Sequence, residues 1–159
     1  MRALVVAAAV VWLALLILAP ILPLPLATAL YALGSYICHQ RPERSFHVFA
    51  AQLPVCARCV GIYAGGAAGL LLTRSARLER RLVTISPRTV IVTGAIPTLL
   101  TLLAEWGAVW SVGNGVRAGA GTLLGVAVAF VVAQASATLH YDGCAPRRPI
   151  ASNRPPTLI

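Results

Sequence analysis

The chain has 159 residues, 58% of them hydrophobic and 11% charged, with a formal net charge of +9. An ordinary soluble domain carries about 25% charged residues, so this balance excludes a water-soluble globule and points to one membrane-embedded domain. The positive charge comes from arginine alone, spaced between long apolar runs rather than along one polar surface, which argues against nucleic acid as a partner.

Crossing the roughly 30 Å hydrocarbon core takes about 20 mostly apolar residues in a helix. No charge occurs between Arg2 and Arg41, and Ala3 to Ala19 is nearly all Val, Ala, Leu and Ile, which predicts a first span. Pro20, Pro23 and Pro25 break it, because proline lacks the N–H that a continuing helix needs. Leu24 to Ile37 is short for a span and reads as an interfacial helix, with Tyr31 and Tyr36 at headgroup depth. A cleaved signal peptide ending near Ala27-Thr28-Ala29 is the competing reading, disfavoured by the length of the apolar run and by the prolines.

The next charge-free interval, Cys59 to Thr73, reaches spanning length only from about Pro54, a good first helical residue, with Arg58 snorkelling outward. A third span covers Thr89 to Ala104 and extends past Glu105 towards Trp106 and Trp110; a fourth covers Ala118 to Leu139. The predicted fold class is therefore all-α. It is an integral membrane bundle of four transmembrane helices in residues 1–139, with a short proline-broken interfacial helix after the first. Residues 140–159, rich in Arg and Pro, read as a disordered cytoplasmic tail.

Orientation follows the arginines. Arg74, Arg77, Arg80, Arg81 and Arg88 fill the loop 74–88, and Arg147, Arg148 and Arg154 lie in the tail, so both are placed in the cytoplasm. The other face holds Arg41, Arg44, Arg58 and Arg117. The expected location is the cell membrane, multi-pass, with both termini cytoplasmic and the loop 38–59 outside. The arginine loop also has the charge to attract anionic lipid heads.

That outer loop carries the chemistry. Cys38, His39, His47, Cys56 and Cys59 fall within 22 residues, which takes in three of the four cysteines and two of the three histidines. Cys-His, then Cys-x-x-Cys, resembles a zinc-ribbon spacing, and thiolates with an imidazole suit zinc or iron. Cys38 and His39 are adjacent and point in different directions, so His47 is an equally available fourth ligand. Cys56 and Cys59, at a helix N-terminus beside Arg58, also have the setting of a reactive pair. On an oxidising outer face a disulfide is the third reading. Gln40, Arg41, Arg44 and Arg58 are placed to meet an anionic ligand. Cys144 and His140, in the tail, receive no role.

The stretches Cys38-His39-Gln40-Arg41-Pro42-Glu43-Arg44-Ser45-Phe46 and Gln52-x-Pro54-Val55-Cys56-Ala57-Arg58-Cys59-x-Gly61-Ile62-Tyr63-x-Gly65 resemble the signature of the domain of unknown function 2085 family. Asn114-x-x-Arg117-x-x-x-Gly121-x-x-x-Gly125 resembles its later motif, while Glu105-Trp106-Gly107 departs from the family's glutamine-containing stretch. The resemblance implies a small prokaryotic polytopic membrane protein and supplies no reaction.

Gly61, Gly65 and Gly69, with Gly121 and Gly125, let helix backbones approach closely; packing within the chain is preferred to self-association. Glu105 and Arg117, at the outer ends of consecutive spans, are expected to pair, with Arg58 drawn to the same carboxylate. Pro97 is expected to kink the third span. No titratable residue falls in mid-span, which leaves little support for a proton route. The leading function is non-enzymatic: a membrane protein whose outer Cys/His site binds a structural metal or forms a disulfide. The alternative is a thiol–disulfide oxidoreductase using Cys56 and Cys59, and a third, weaker class is a small-solute transporter.

Overall fold

The structure is a computed structural model describing residues 2–73, 75, 85–107 and 110–144, with side chains described for 3–73, 75, 85–107 and 110–136. Most of the arginine-rich loop and the tail beyond Cys144 lie outside the described residues, as do the side chains of His140 and Cys144. Helix α1 (Arg2–Leu18) stops where Pro20 forces a 3-10 turn, Ala19–Ile21. Helix α2 (Leu24–Ile37) follows at once, with Pro25 in its first turn, where the missing N–H has no intrahelical partner to lose.

A short 3-10 turn, Pro42–Arg44, then leads into an antiparallel hairpin of β1 (Ser45–Val48) and β2 (Ala51–Cys56). Val48 pairs with Ala51, so the loop is only Phe49 and Ala50, at φ 51° and 63°. A two-residue turn needs positive φ at both central positions, which non-glycine residues adopt at some cost. Ser45 pairs with Cys56 and His47 with Gln52, leaving β2 with extra residues between these pairs. This sheet corrects the all-α expectation. It also moves Pro54: the residue lies within β2, and helix α3 (Ala57–Leu72) begins after Cys56. Pro54 is tolerated because a two-stranded sheet leaves every strand an open edge, where no N–H is required.

Helix α4 (Pro87–Trp106) starts on Pro87 and carries Pro97 inside it; α5 (Asn114–Cys144) completes the described chain. Three stretches are long and apolar enough to cross a membrane: Ala3–Ile21, Pro87–Trp106 and Asn114–Ser136. On that criterion the expected four spans become three. Helix α3, with 16 residues, is about 24 Å long at 1.5 Å per residue.

Small residues set how the helices meet. Gly61, Gly65 and Gly69 of α3 lie against Ala118, Thr122 and the Val126–Ala129 turn of α5, and Gly121 and Gly125 lie against Arg58 and Ile62. A Cβ at Gly61, Gly65, Gly121 or Gly125 would overlap a backbone carbonyl of the facing helix, so the backbones touch along this seam. Residue numbers rise together on the two helices, which are therefore parallel. Helix α4 runs antiparallel to α5: Gly94 faces Ala127, and the Thr98 hydroxyl donates to the Ala120 carbonyl at 3.0 Å. Trp12 sets α1 edge-on against Tyr63 of α3, with ring centroids 6.1 Å apart. Leu4, Leu99, Leu100 and Leu103 are more than half exposed. Such a jacket suits lipid, which imposes no cost for meeting hydrocarbon.

Candidate metal centre

Two glutamines fold the segment after α2 back onto that helix. Cys38 caps α2 in extended conformation, and the chain reverses at Gln40, whose φ is 48°. The Gln40 amide donates to the carbonyls of Tyr31, at 2.7 Å, and Pro54, at 2.8 Å. Gln52 donates from its amide to the Gln40 carbonyl at 2.5 Å, and the Tyr31 hydroxyl donates to the Gln52 carbonyl. Gly34 makes room, since a Cβ there would overlap the Pro54 carbonyl and crowd the Gln40 amide. The Gln40–Tyr31 bond ties the turn back to α2, and the other three join α2 or that turn to β2, which brings the two ends of the loop into contact.

The result is a cluster of sulfur. The Cys56 N–H donates to Cys38 Sγ at 3.2 Å, and Cys56 Sγ lies 3.5 Å from Cys59 Sγ. All three sulfurs lie within 4.8 Å of one another, and the cysteines are free and half-buried. A disulfide requires about 2.05 Å between sulfurs, so Cys56 and Cys59 are in contact but not bonded. The Cys59 thiol beside it, more than any other neighbour, holds Cys56 down at about 5, against the opposing effect of burial. Backbone N–H groups at the start of α3 and the Cys38 side chain act in the same direction.

These donors fit a thiophilic metal. Metal–sulfur bonds of about 2.3 Å in a tetrahedron place sulfurs about 3.8 Å apart, close to the spacing found here. Among the described residues, the Cys, His, Asp and Glu side chains close enough to share an ion at this point are Cys38, Cys56 and Cys59. His39 and His47 are exposed and stand outside that group. Arg41 is exposed, 3.9 Å from Glu43.

A second polar group sits at the same end of the bundle. The Glu105 side chain is 3% exposed, and three guanidiniums surround it. Arg117 Nε donates to Oε1 at 2.7 Å, joining α4 to α5. Arg58 lies 3.5 Å from Oε1 and donates to Thr101 Oγ1 at 3.1 Å, so it turns inward rather than snorkelling. Arg44, from the turn before β1, lies 3.5 Å from Oε2. Arg117 also donates to Asn114 Oδ1 at 2.7 Å, while the Asn114 amide donates to the Ser45 carbonyl at 3.0 Å. Ser45 is the sheet partner of Cys56, so one chain of contacts links the ion cluster to the sulfurs. Tyr31, Gln52 and Asn114 are not among the candidate site residues, whereas Thr101 is a residue expected to hydrogen-bond between helices and does so with Arg58. Gln52 and Asn114 carried a signal, through their places in the Gln-x-Pro-Val-Cys and Asn-x-x-Arg motifs.

Comparison with known proteins gives relatives without an assigned activity. The chain is 49% identical over 47 residues to an uncharacterized protein of Methanocaldococcus jannaschii, covering 30% of each chain. It is 57% identical over 30 residues to an uncharacterized protein of Methanothermobacter thermautotrophicus, covering 19% of this chain and 27% of the relative. The matched parts thus span less than a third of either relative. No solved structure matches the chain. The family described as a predicted membrane protein, DUF2085, matches residues 38–131, from the first clustered cysteine through the seam of α5. This stretch is more than half of the chain and contains all three sulfurs, Glu105 and its three arginines: the chain belongs to the DUF2085 family of predicted membrane proteins.

Proposed function

We propose that this membrane protein holds a metal ion, zinc or iron by donor chemistry, on Cys38, Cys56 and Cys59 at its outer face. The observation that carries the reading is the convergence of three unbonded thiols, from the end of α2 and the start of α3, within 4.8 Å. Thiolates are soft donors, and the free N–H groups that begin α3 favour the charged form of Cys56. The ion would lock the hairpin to α2 and α3, leaving Arg41 exposed while Arg44 turns to Glu105. The role is a stabilising and binding one, not an enzymatic one.

The same reading takes α3 as a fourth span beside α1, α4 and α5, with both termini cytoplasmic. Its support is the glycine seam: α3 runs parallel to α5 from Gly61 to Gly69, alongside the stretch of α5 that is long enough to cross. Two parallel helices joined through an antiparallel α4 place the sulfur cluster, Glu105 and Asn114 at one end, away from Arg88. Metal analysis and thiol counting on protein purified without chelator test the site. One zinc or iron per chain, with Cys38, Cys56 and Cys59 protected from alkylation until the metal is stripped, is the expected result. Metal-free protein with three freely alkylated cysteines would rule it out.

A further inference from the structure

The hairpin sits beside the ends of two stretches long enough to cross a membrane. Strand β2 packs against the turn Ala19–Ile21, which closes the stretch Ala3–Ile21, and its Leu53 and Val55 are buried. Across the bundle Arg44, from the turn before β1, lies 3.5 Å from Glu105, next to the end of the stretch Pro87–Trp106. Hydrocarbon gives way to headgroups where such stretches end, so the hairpin belongs at that boundary.

What the hairpin exposes there is apolar. Its tip, Val48-Phe49-Ala50-Ala51, has no polar side chain, and Phe49 is 81% exposed. Phe49 and Ala50 both hold positive φ, where Asn and Gly fit with less strain, so the turn presents a large ring against its own backbone preference. In water that ring would gain nothing from its position. Helix α2 extends the surface: Leu26, Leu33 and Ile37, seven and four residues apart, form one exposed stripe, with Tyr36 87% exposed beside it. This helix has no charged residue, and only Leu22 and Pro23 separate it from the first stretch, whose Ile17, Leu18 and Ile21 are exposed in turn. The apolar surface of the tip and α2 therefore continues the lipid-facing surface of α1.

We infer that the hairpin tip and the outer stripe of α2 form an anchor in the membrane interface, with the Phe49 ring seated among phospholipid headgroups and upper acyl chains. Aromatic and leucine side chains gain there by leaving water, while neighbouring polar groups stay wet. At that depth the tip is still within reach of water on the side of the sulfur cluster. The anchor needs no bound ion, so it stands or falls apart from the metal centre.

The test uses the full chain in vesicles of phosphatidylcholine and phosphatidylglycerol, with a benzophenone side chain that bonds to neighbouring C–H groups under near-ultraviolet light. Irradiated Phe49→p-benzoylphenylalanine and Leu33→p-benzoylphenylalanine should each gain the mass of one phospholipid. Glu43→p-benzoylphenylalanine, in the polar turn beside Arg41, should show no such shift. Phe49 and Leu33 are exposed, so neither substitution enters the packed interior. A phospholipid shift at Leu33 without one at Phe49 would lift the hairpin out of the interface and overturn the inference. Twice the chain mass would mean that the tip meets a second copy, and an unshifted Phe49 variant that it faces water; either result overturns it. So does a phospholipid shift at Glu43 as strong as that at Phe49.

Discussion

Glu105→Gln is the most demanding test of the packing account. The substitution keeps the shape of the side chain and removes the single negative charge shared by Arg44, Arg58 and Arg117. Unit charges about 4 Å apart attract by about 4 kcal/mol at an effective dielectric near 20, and mutual repulsion among the arginines takes some of this back. Removing one partner of a buried pair generally costs about 3–5 kcal/mol, because the remaining charge stays desolvated. With Arg117 and Arg58 side chains only 10% and 14% exposed, we expect a loss in that range. Loss of ellipticity against added denaturing detergent in mixed micelles measures it. Pairing Glu105→Leu with Arg117→Met should lose less than Glu105→Gln alone, since the double change removes charge on both sides. If Glu105→Gln unfolds within about 1 kcal/mol of the parent, the carboxylate does not hold α4 and α5 together as described.

Further outcomes follow from other parts of the structure. Gly65→Leu should cost about 1–3 kcal/mol by driving a side chain into the Thr122 carbonyl, whereas Gly66→Ala, where nothing lies within 4 Å, should melt unchanged or slightly higher. Gln40→Ala removes two donors to main-chain carbonyls, worth about 2 kcal/mol together, so cobalt should bind roughly thirtyfold more weakly in a competition titration. In metal-free protein Cys56, held down at about 5, is a thiolate above that pH; its alkylation rate should therefore be nearly flat from pH 6 to 8, whereas an ordinary thiol accelerates about tenfold per pH unit. A membrane-impermeant maleimide added to intact cells should label residue 49 in a Phe49→Cys variant; labelling only after lysis would reverse the proposed orientation.

The apolar helices were legible because charge-free length and proline position are local properties. Pro20, Pro23 and Pro25 mark the break between α1 and α2, and the Leu24–Ile37 boundaries follow from them. The hairpin was not legible. Ser45–Val48 and Ala51–Cys56 are too short for a clear alternation, their turn uses Phe49 and Ala50 instead of Asn-Gly, and Pro54 mimics a helix start. For the site, the spacing pointed to the three cysteines but not to the clamp that assembles them. Gln40 reads on its own as an outward-facing recognition residue, yet both its donated bonds go to main-chain carbonyls, a long-range choice that no local pattern encodes. Arg44 hides its place beside Glu105 in the same way, because the pair is 61 positions apart in the chain and meets only once the turn Pro42–Arg44 reaches the end of α4.

X-ray absorption on the zinc-loaded protein addresses the centre most directly. Three sulfur scatterers at about 2.3 Å, reduced to two in Cys38→Ser, are the expected signature. A first shell made only of nitrogen and oxygen, or one unaffected by that substitution, would contradict the assignment of Cys38, Cys56 and Cys59 as a single metal site.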